Sequence, residues 1–506
     1  MAVVCAAGGA CNKPGFDVVV VERNPGDEGE GEGEGEEGEG EGEGAEGEGE
    51  GEGEGTVVVG HDRELRGAWI ATVYGINWPS SSSASAAVKQ QELIDLIDEA
   101  ADAGLNALFF QVRPESDALY ASSLEPWSRF LTGVQGGDPG FDPLDTAIAH
   151  AHARGVELHA WINPYRGLTS QSVVSAQNHV SRTLSAAAVD YDGMVWMNPA
   201  SQAVQDHVVD VVVDIISRYD VDGIHMDDYF YPYPDGSTSF PDAADFSAYQ
   251  DGGGSLTKSA WRRENVNTLI EATSLAIASV RPSVRFGVSP FGIYRPGTPA
   301  GITGLDAYEA ISCDPVTWLA MDWVDYLAPQ LYWPTTQTRQ AFGTLLPWWA
   351  SLTDGDGRFV VAGINLAAYD PSGAFTLDEY RAEIAITRAH SDDGAKGTIL
   401  YHVDPLVSDD DVKGAFAALN ARKVLPPPVV LDTRLPEVPT LAADGADVVV
   451  TSENAKGFVV YDVSGDDPVV SDIVFGQTLR LAPSSSPRAV TAFGQNDRES
   501  AGVSVP

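Results

Sequence analysis

The chain has 506 residues, with 30 Lys and Arg against 74 Asp and Glu and a formal charge of −44. Phosphate recognition needs clustered cations, and seven lysines with 23 scattered arginines form no basic stripe, which argues against nucleic-acid binding. A hydrophobic content of 43% supplies a large core, no apolar run reaches the roughly 20 residues of a membrane-spanning segment, and three cysteines cannot build a disulfide framework.

Residues 1–26 read as a leader or tail. MAVVCAAGGACNKPG lacks the charged and apolar regions of a secretory signal. A small-residue stretch ending in Cys before a polar tether still resembles a lipoprotein start, which makes Cys5 or Cys11 a candidate lipidation site, although neither has Leu three positions before it. The plainer reading is a disordered tail with two incidental thiols. Residues 27–57 form an almost pure Glu-Gly linker, with fifteen acidic and no basic residues from Asp27 to Gly55, so that −29 remains for the rest. With no apolar surface and mutual repulsion, it is expected to be a disordered spacer. A spacer before a catalytic body suits the cell envelope or the extracellular space.

Residues 58–423 alternate short apolar runs with helix-period segments, the pattern of parallel βα units. Strands are expected over 65–72, 107–112, 156–162, 223–227, 285–289, 325–331, 359–364 and 397–401, with helices between them, for instance over 91–103 and 204–219. Eight repeats predict an α/β fold, a (β/α)8 TIM barrel. After Lys423, LPPPVV marks a boundary, and residues 430–506 hold short β-like pieces (ADVVVTS, GFVVYDV, TLRLAP, AVTAF) that predict a small all-β sandwich.

Catalytic groups of such a barrel collect where its strands end. The first strand offers Trp69, then Tyr74, Asn77 and Trp78; the second offers Gln111, Arg113, Glu115 and Asp117. In the third, ELHAWINPYR, the residues His159, Trp161 and Asn163 share one face on period 2, with Arg166 beyond them. The fourth, DGIHMDDYFYPYP, puts His225, Asp227 and Tyr229 on one face and Asp228 beside them, followed by Phe230, Tyr231 and Tyr233. Carboxyls can protonate a glycosidic oxygen and stabilise an oxocarbenium-like transition state, while aromatic faces stack on sugar rings. The bland alternatives are that the two acids pair with arginines or cap a loop, and that His225 is a satisfied core group. The fifth strand adds Ser289 and Arg295, and the sixth adds Gln330, Tyr332 and Trp333. No Gly-x-Ser-x-Gly elbow or Walker loop occurs, and His150 and His152 precede the third strand, so neither a cofactor nor a metal is expected.

The succession ELRGAWIATV, GLNALFFQVRPESDALY, FDPLDTAIAHAHARGVELHAWINPYR, WMNPASQAVQDHVVDVV, YDVDGIHMDDYFYP, FGVSPFGIYR and DYLAPQLYWP resembles the glycosyl hydrolase-like 10 family, also called DUF187, over about residues 62–405. The family's motifs fall on Val112 to Ala118, His159 to Arg166, Asp227 to Pro232 and Pro329 to Trp333. The resemblance implies an envelope (β/α)8-barrel protein, often lipid-anchored, followed by a sandwich similar to fibronectin type III. It also implies cleavage of peptidoglycan strands that amidases have stripped of stem peptides.

Two readings stand. One is a glycoside hydrolase with Asp227 and Asp228 as catalytic acids, the second carboxylate being alternatively Glu115, Asp117 or Asp314. The other is a catalytically idle barrel that binds the same glycan. In either, Trp69, Arg113, Asp117, His159, Trp161, Asn163, Arg166, His225, Tyr229, Tyr231, Ser289, Gln330, Tyr332 and Trp333 are the expected polysaccharide contacts. Arg113, Arg166 or Arg295 would meet the lactyl carboxylates of muramic acid.

Overall fold

Eight parallel strands close on themselves: β1 (Leu65–Ile70), β2 (Ala107–Arg113), β3 (Glu157–Ile162), β4 (Gly223–Asp227), β5 (Arg285–Ser289), β6 (Tyr326–Leu327), β7 (Phe359–Ile364) and β8 (Ala395–Leu400). They belong to a computed structural model that describes residues 56–57, 59–234, 236, 238–353 and 357–505. The expectations for the leader and for all but the last two residues of the Glu-Gly linker therefore lie outside the described residues.

Period 2 sorts each strand. In β1, Leu65 and Trp69 join Phe109, Trp161, Tyr326 and Val361 inside the barrel, while Ala68 and Ile70 pack outward against helices. The interior alternates bulk with glycine. A Cβ on Gly223 would lie 2.3 Å from His159 Nδ1, and one on Gly287 2.0 Å from Tyr326 Cζ, so both positions must stay bare for the neighbouring rings to fill the bore. The strand β6 is shorter than expected. Pro290 and Pro329 lack amide hydrogens, and beyond Leu327 only the single bridges of Gln330 to Phe291 and Gly363 continue the pairing.

The helix Ala86–Asp102 begins at Ser85, whose hydroxyl accepts the Val88 N–H, and buries Leu93, Leu96, Ile97 and Ala100. Gly104, with φ of +76°, ends it. The helix Gln202–Arg218 buries Val204, Val208, Val211, Val212 and Ile215. Among the described residues no helix is long and apolar enough to cross a membrane.

The C-terminal strands are β9 (Thr440–Asp444), β10 (Asp447–Thr451), β11 (Gly457–Asp462), β12 (Val469–Phe475), β13 (Thr478–Leu481), β14 (Arg488–Phe493) and β15 (Gly502–Val505). They form a three-stranded sheet (β9, β10, β13) over a larger one (β15, β14, β11, β12). Val450 and Leu479 of the first meet Phe458, Val460 and Val490 of the second. Thr56–Val57 adds a fifth strand beside β15, so these two residues belong to this sheet and not to the barrel.

The larger sheet is buried on both faces. Val459, Tyr461 and Phe493 point away from the sandwich interior and pack with Leu425 of the segment leaving the barrel. Beside them a ring of charges closes the N-terminal end of the barrel. Arg285 donates to Glu157 at 2.6 Å and to Asp497, and Lys456 Nζ lies 2.9 Å from Glu157, 2.9 Å from Asp222 and 3.1 Å from Asp497. His152 bonds Asp222 at 2.8 Å. Arg285, Lys456, Glu157, Asp222 and Asp497 are all buried.

Candidate active site

The opposite, C-terminal end holds a cleft of about 320 Å³. Its walls come from Trp69 of β1 and Tyr74 beyond it, Trp161 of β3 and Arg166 beyond it, Asp227 at the end of β4 with Asp228 and Tyr229, Ser289, Gln330 and Tyr332, and Tyr401 after β8. Tyr332 stacks on Tyr401 with ring centroids 5.6 Å apart.

Two carboxyls lie at its base, and their surroundings differ. Asp227 Oδ2 accepts the Trp161 indole N–H at 3.2 Å and an amide N–H of Asn163, and Oδ1 accepts the Tyr229 N–H at 3.3 Å. Burial pushes its pKa up to about 6, against the pull of the Arg166 guanidinium and those donors. Asp228 accepts the Tyr233 hydroxyl. Burial, reinforced by the charge of Asp227, pushes it higher, to about 7. At neutral pH the two therefore tend toward different protonation states, which is how a pair of like groups divides acid from base work.

Of the expected contacts, the structure brings Trp69, Trp161, Arg166, Tyr229, Ser289, Gln330 and Tyr332 to the cleft. Asn163 stands behind Asp227, fully buried. Trp333 packs edge-on against Phe291 beside the mouth. His225 is a bore residue: it accepts the Trp69 indole N–H on Nε2 at 3.1 Å, which leaves Nδ1–H to donate to the Tyr326 hydroxyl at 2.9 Å. Burial, together with nearby His159, lowers its pKa well below the usual imidazole range, so it is neutral. His159 lies deeper still, against Phe109 and 3.3 Å from Glu157.

Three expected contacts are spent elsewhere. Arg113 grips Glu125 through Nε and Nη2 and bonds the Asn163 carbonyl at 2.6 Å, with 1% of its surface exposed. The reason is a bulge in β2. Gln111 pairs with Trp161 but Arg113 with Ile162, so the extra residue Val112 turns Arg113 off the inner face that strict alternation assigns it. Asp117 accepts from Gln135 at 3.0 Å within its own loop, pushed up to about 7 by burial and by Glu115. Tyr231 is buried against Phe240 and accepts from Asn265 at 3.2 Å.

The alternative second carboxylates are also engaged. Glu115 pairs with Arg129 at 2.8 Å, and Asp314 caps the helix Pro315–Ala320. Arg295 lies over the Tyr308 ring, 4.7 Å from its centroid, away from the cleft. Tyr401 and Tyr233 were not among the expected contacts; Tyr401 follows directly on β8 and was recognisable as a strand exit.

Buried carboxyls that hold protons near neutrality beneath aromatic faces suit acetal cleavage, and the parallel barrel is a frequent host for it, so the class is that of a barrel glycoside hydrolase. The sequence matches the model of the Glycosyl hydrolase-like 10 family over residues 64–365, and the chain belongs to that family. It is 36% identical over 340 residues to Glycosyl hydrolase YngK of Bacillus subtilis, covering 65% of this chain and 66% of that one. Over 310 residues it is 37% identical to Glycosyl hydrolase DigH of Escherichia coli, covering 57% of this chain and 70% of that one. The solved PgaB (BpsB) glycoside hydrolase domain from Bordetella bronchiseptica aligns more remotely, at 13% identity and a TM-score of 0.45, over 74% of this chain and 100% of that one.

Proposed function

We propose that the protein hydrolyses O-glycosyl bonds of a bacterial cell-wall glycan, namely peptidoglycan strands lacking stem peptides, with Asp228 as general acid. Asp227 is the ionised partner that stabilises positive charge or acts as base or nucleophile. The observation that carries this reading is the unequal setting of the two buried carboxyls at the base of the cleft: Asp227 accepts from Trp161, Asn163 and the Tyr229 N–H, which favours its charged form, while Asp228 accepts the Tyr233 hydroxyl with the Asp227 charge beside it. The family resemblance supplies the peptidoglycan part, and with it a location in the envelope or outside the cell, with lipidation at Cys5 or Cys11.

Arg166 gives that substrate a specific contact. It lines the cleft, lies over the Tyr229 ring with its guanidinium carbon 5.1 Å from the centroid, and among the described residues its guanidinium donates to the Pro114 carbonyl, at 2.8 Å, through Nε. Its terminal nitrogens suit the lactyl carboxylate of muramic acid. Soluble products are expected from amidase-treated peptidoglycan, with little from intact peptidoglycan and less from chitin. Arg166→Met should raise KM for the stripped strands by about tenfold, the value of one charge-assisted pair, and leave chitin unaffected. Comparing two glycans in one variant cancels any effect of Arg166 on Asp227. Equal cleavage of intact and stripped material would refute the stem-peptide claim.

A further inference from the structure

In the wall of the cleft, Gln111 joins two parts of the site through hydrogen bonds whose directions are forced. Its Oε1 receives the backbone N–H groups of Thr72 at 2.8 Å and Val73 at 2.9 Å. Backbone N–H groups only donate, so the amide has a single orientation and its nitrogen faces Asn163, 2.6 Å from Oδ1. That nitrogen also only donates. Asn163 must therefore present its oxygen to Gln111 and its own nitrogen to Asp227. Turned over, the Asn163 carbonyl would confront the carboxylate. The same two backbone bonds pin the loop that carries Tyr74, a cleft-lining residue held at φ of +57° with 64% of its surface exposed. A non-glycine residue keeps that conformation only where its surroundings enforce it.

We infer that Gln111 is a positioning residue, which sets the direction of the amide relay onto Asp227 and seats the Tyr74 rim for a sugar unit. The inference rests on the reading of Asp227 as the ionised partner only for its kinetic consequence. Asn163 is among the groups that hold Asp227 below the value burial alone would give.

Two variants of the full chain separate the roles. Gln111→Glu keeps an acceptor for both backbone amides and, in its ionised form, has no hydrogen to donate to Asn163, which then turns its nitrogen toward the new carboxylate. The Asp227 titration midpoint, followed by carboxyl 13C NMR with Asp227→Asn as the assignment control, should rise by about one unit, the scale of one lost donor. The acid limb of kcat/KM should move with it, while KM for stripped glycan stays within about twofold. Gln111→Met frees the Tyr74 loop and leaves Asn163 to follow Asp227, so KM should rise threefold or more with the midpoint in place. An unmoved midpoint in a Gln111→Glu protein of normal Tm overturns the relay. A moved midpoint with an unmoved acid limb keeps the relay and removes Asp227 from the chemistry. If the Glu variant does not fold, unchanged KM in Gln111→Met overturns the proposal, and raised KM upholds it.

Discussion

Asp228→Asn should lower kcat by on the order of 10² to 10⁴, and Asp227→Asn by a similar factor, because each removes one half of the acid-base assistance. On the proposed assignment the productive form has Asp227 ionised and Asp228 protonated. Activity should then rise with pH through about 6, fall through about 7, and peak between. Stability should also depend on pH through Asp228, and the effect of Asp228→Asn on it is opposite in sign to the effect on activity. The folded pKa of Asp228 lies above its unfolded value, so the contribution is present at low pH and lost as pH rises through about 7. Above pH 7 the native state holds a buried charge, and Asp228→Asn relieves it, with a gain of up to about 4 kcal/mol at pH 8. Kinetics on stripped glycan and urea unfolding at pH 5 and pH 8 check both halves. Wild-type turnover in both variants would remove the pair from consideration.

Lys456→Met should destabilise the fold by about 3 to 5 kcal/mol, since it leaves Glu157, Asp222 and Asp497 buried without the cation that lies about 3 Å from each. Burial works against the charge on Lys456, but Asp222, Asp497 and Glu157 outweigh it and hold its pKa above the ordinary lysine range. Asp497 is pushed up to about 7, first by burial and then by Glu157. Removal of the cation should therefore also make unfolding more sensitive to alkaline pH. We further expect residues 60–423 alone to lack cooperative melting, because β3 and β5 would then open their buried charges Glu157 and Arg285 to water without Asp497 and Lys456. A loss below about 1 kcal/mol in Lys456→Met, measured by urea unfolding, would show that the ring is not needed for stability.

The barrel was legible because its strands are short apolar runs whose lengths and order survive burial on both faces. Five of the eight, β4, β5, β7 and, within a residue, β2 and β3, occupy the expected spans. The site was legible only where alternation holds. His225, Asp227 and Tyr229 follow it; Arg113 does not, because a bulge at Val112 reverses the faces and leaves no mark in the residue types. Tyr231 lies past the strand, where period 2 no longer governs direction, and it turns into the packing around Phe240. The partners of long polar side chains are tertiary facts: nothing near Arg113 in the chain announces Glu125, twelve residues on, as its counter-ion. The role of Lys456 was hidden for the same reason, its partners lying hundreds of positions away or in another loop.

The strand Thr56–Val57 also fixes where the described chain enters the fold. It sits in the sheet that stoppers the N-terminal end of the bore, whereas Asp227 and Asp228 open at the far end. The entry of the chain and the mouth of the cleft thus lie at opposite ends of the barrel, with the whole length of the bore between them. A polymer can therefore approach the carboxyls from the side that the C-terminal sheet leaves open.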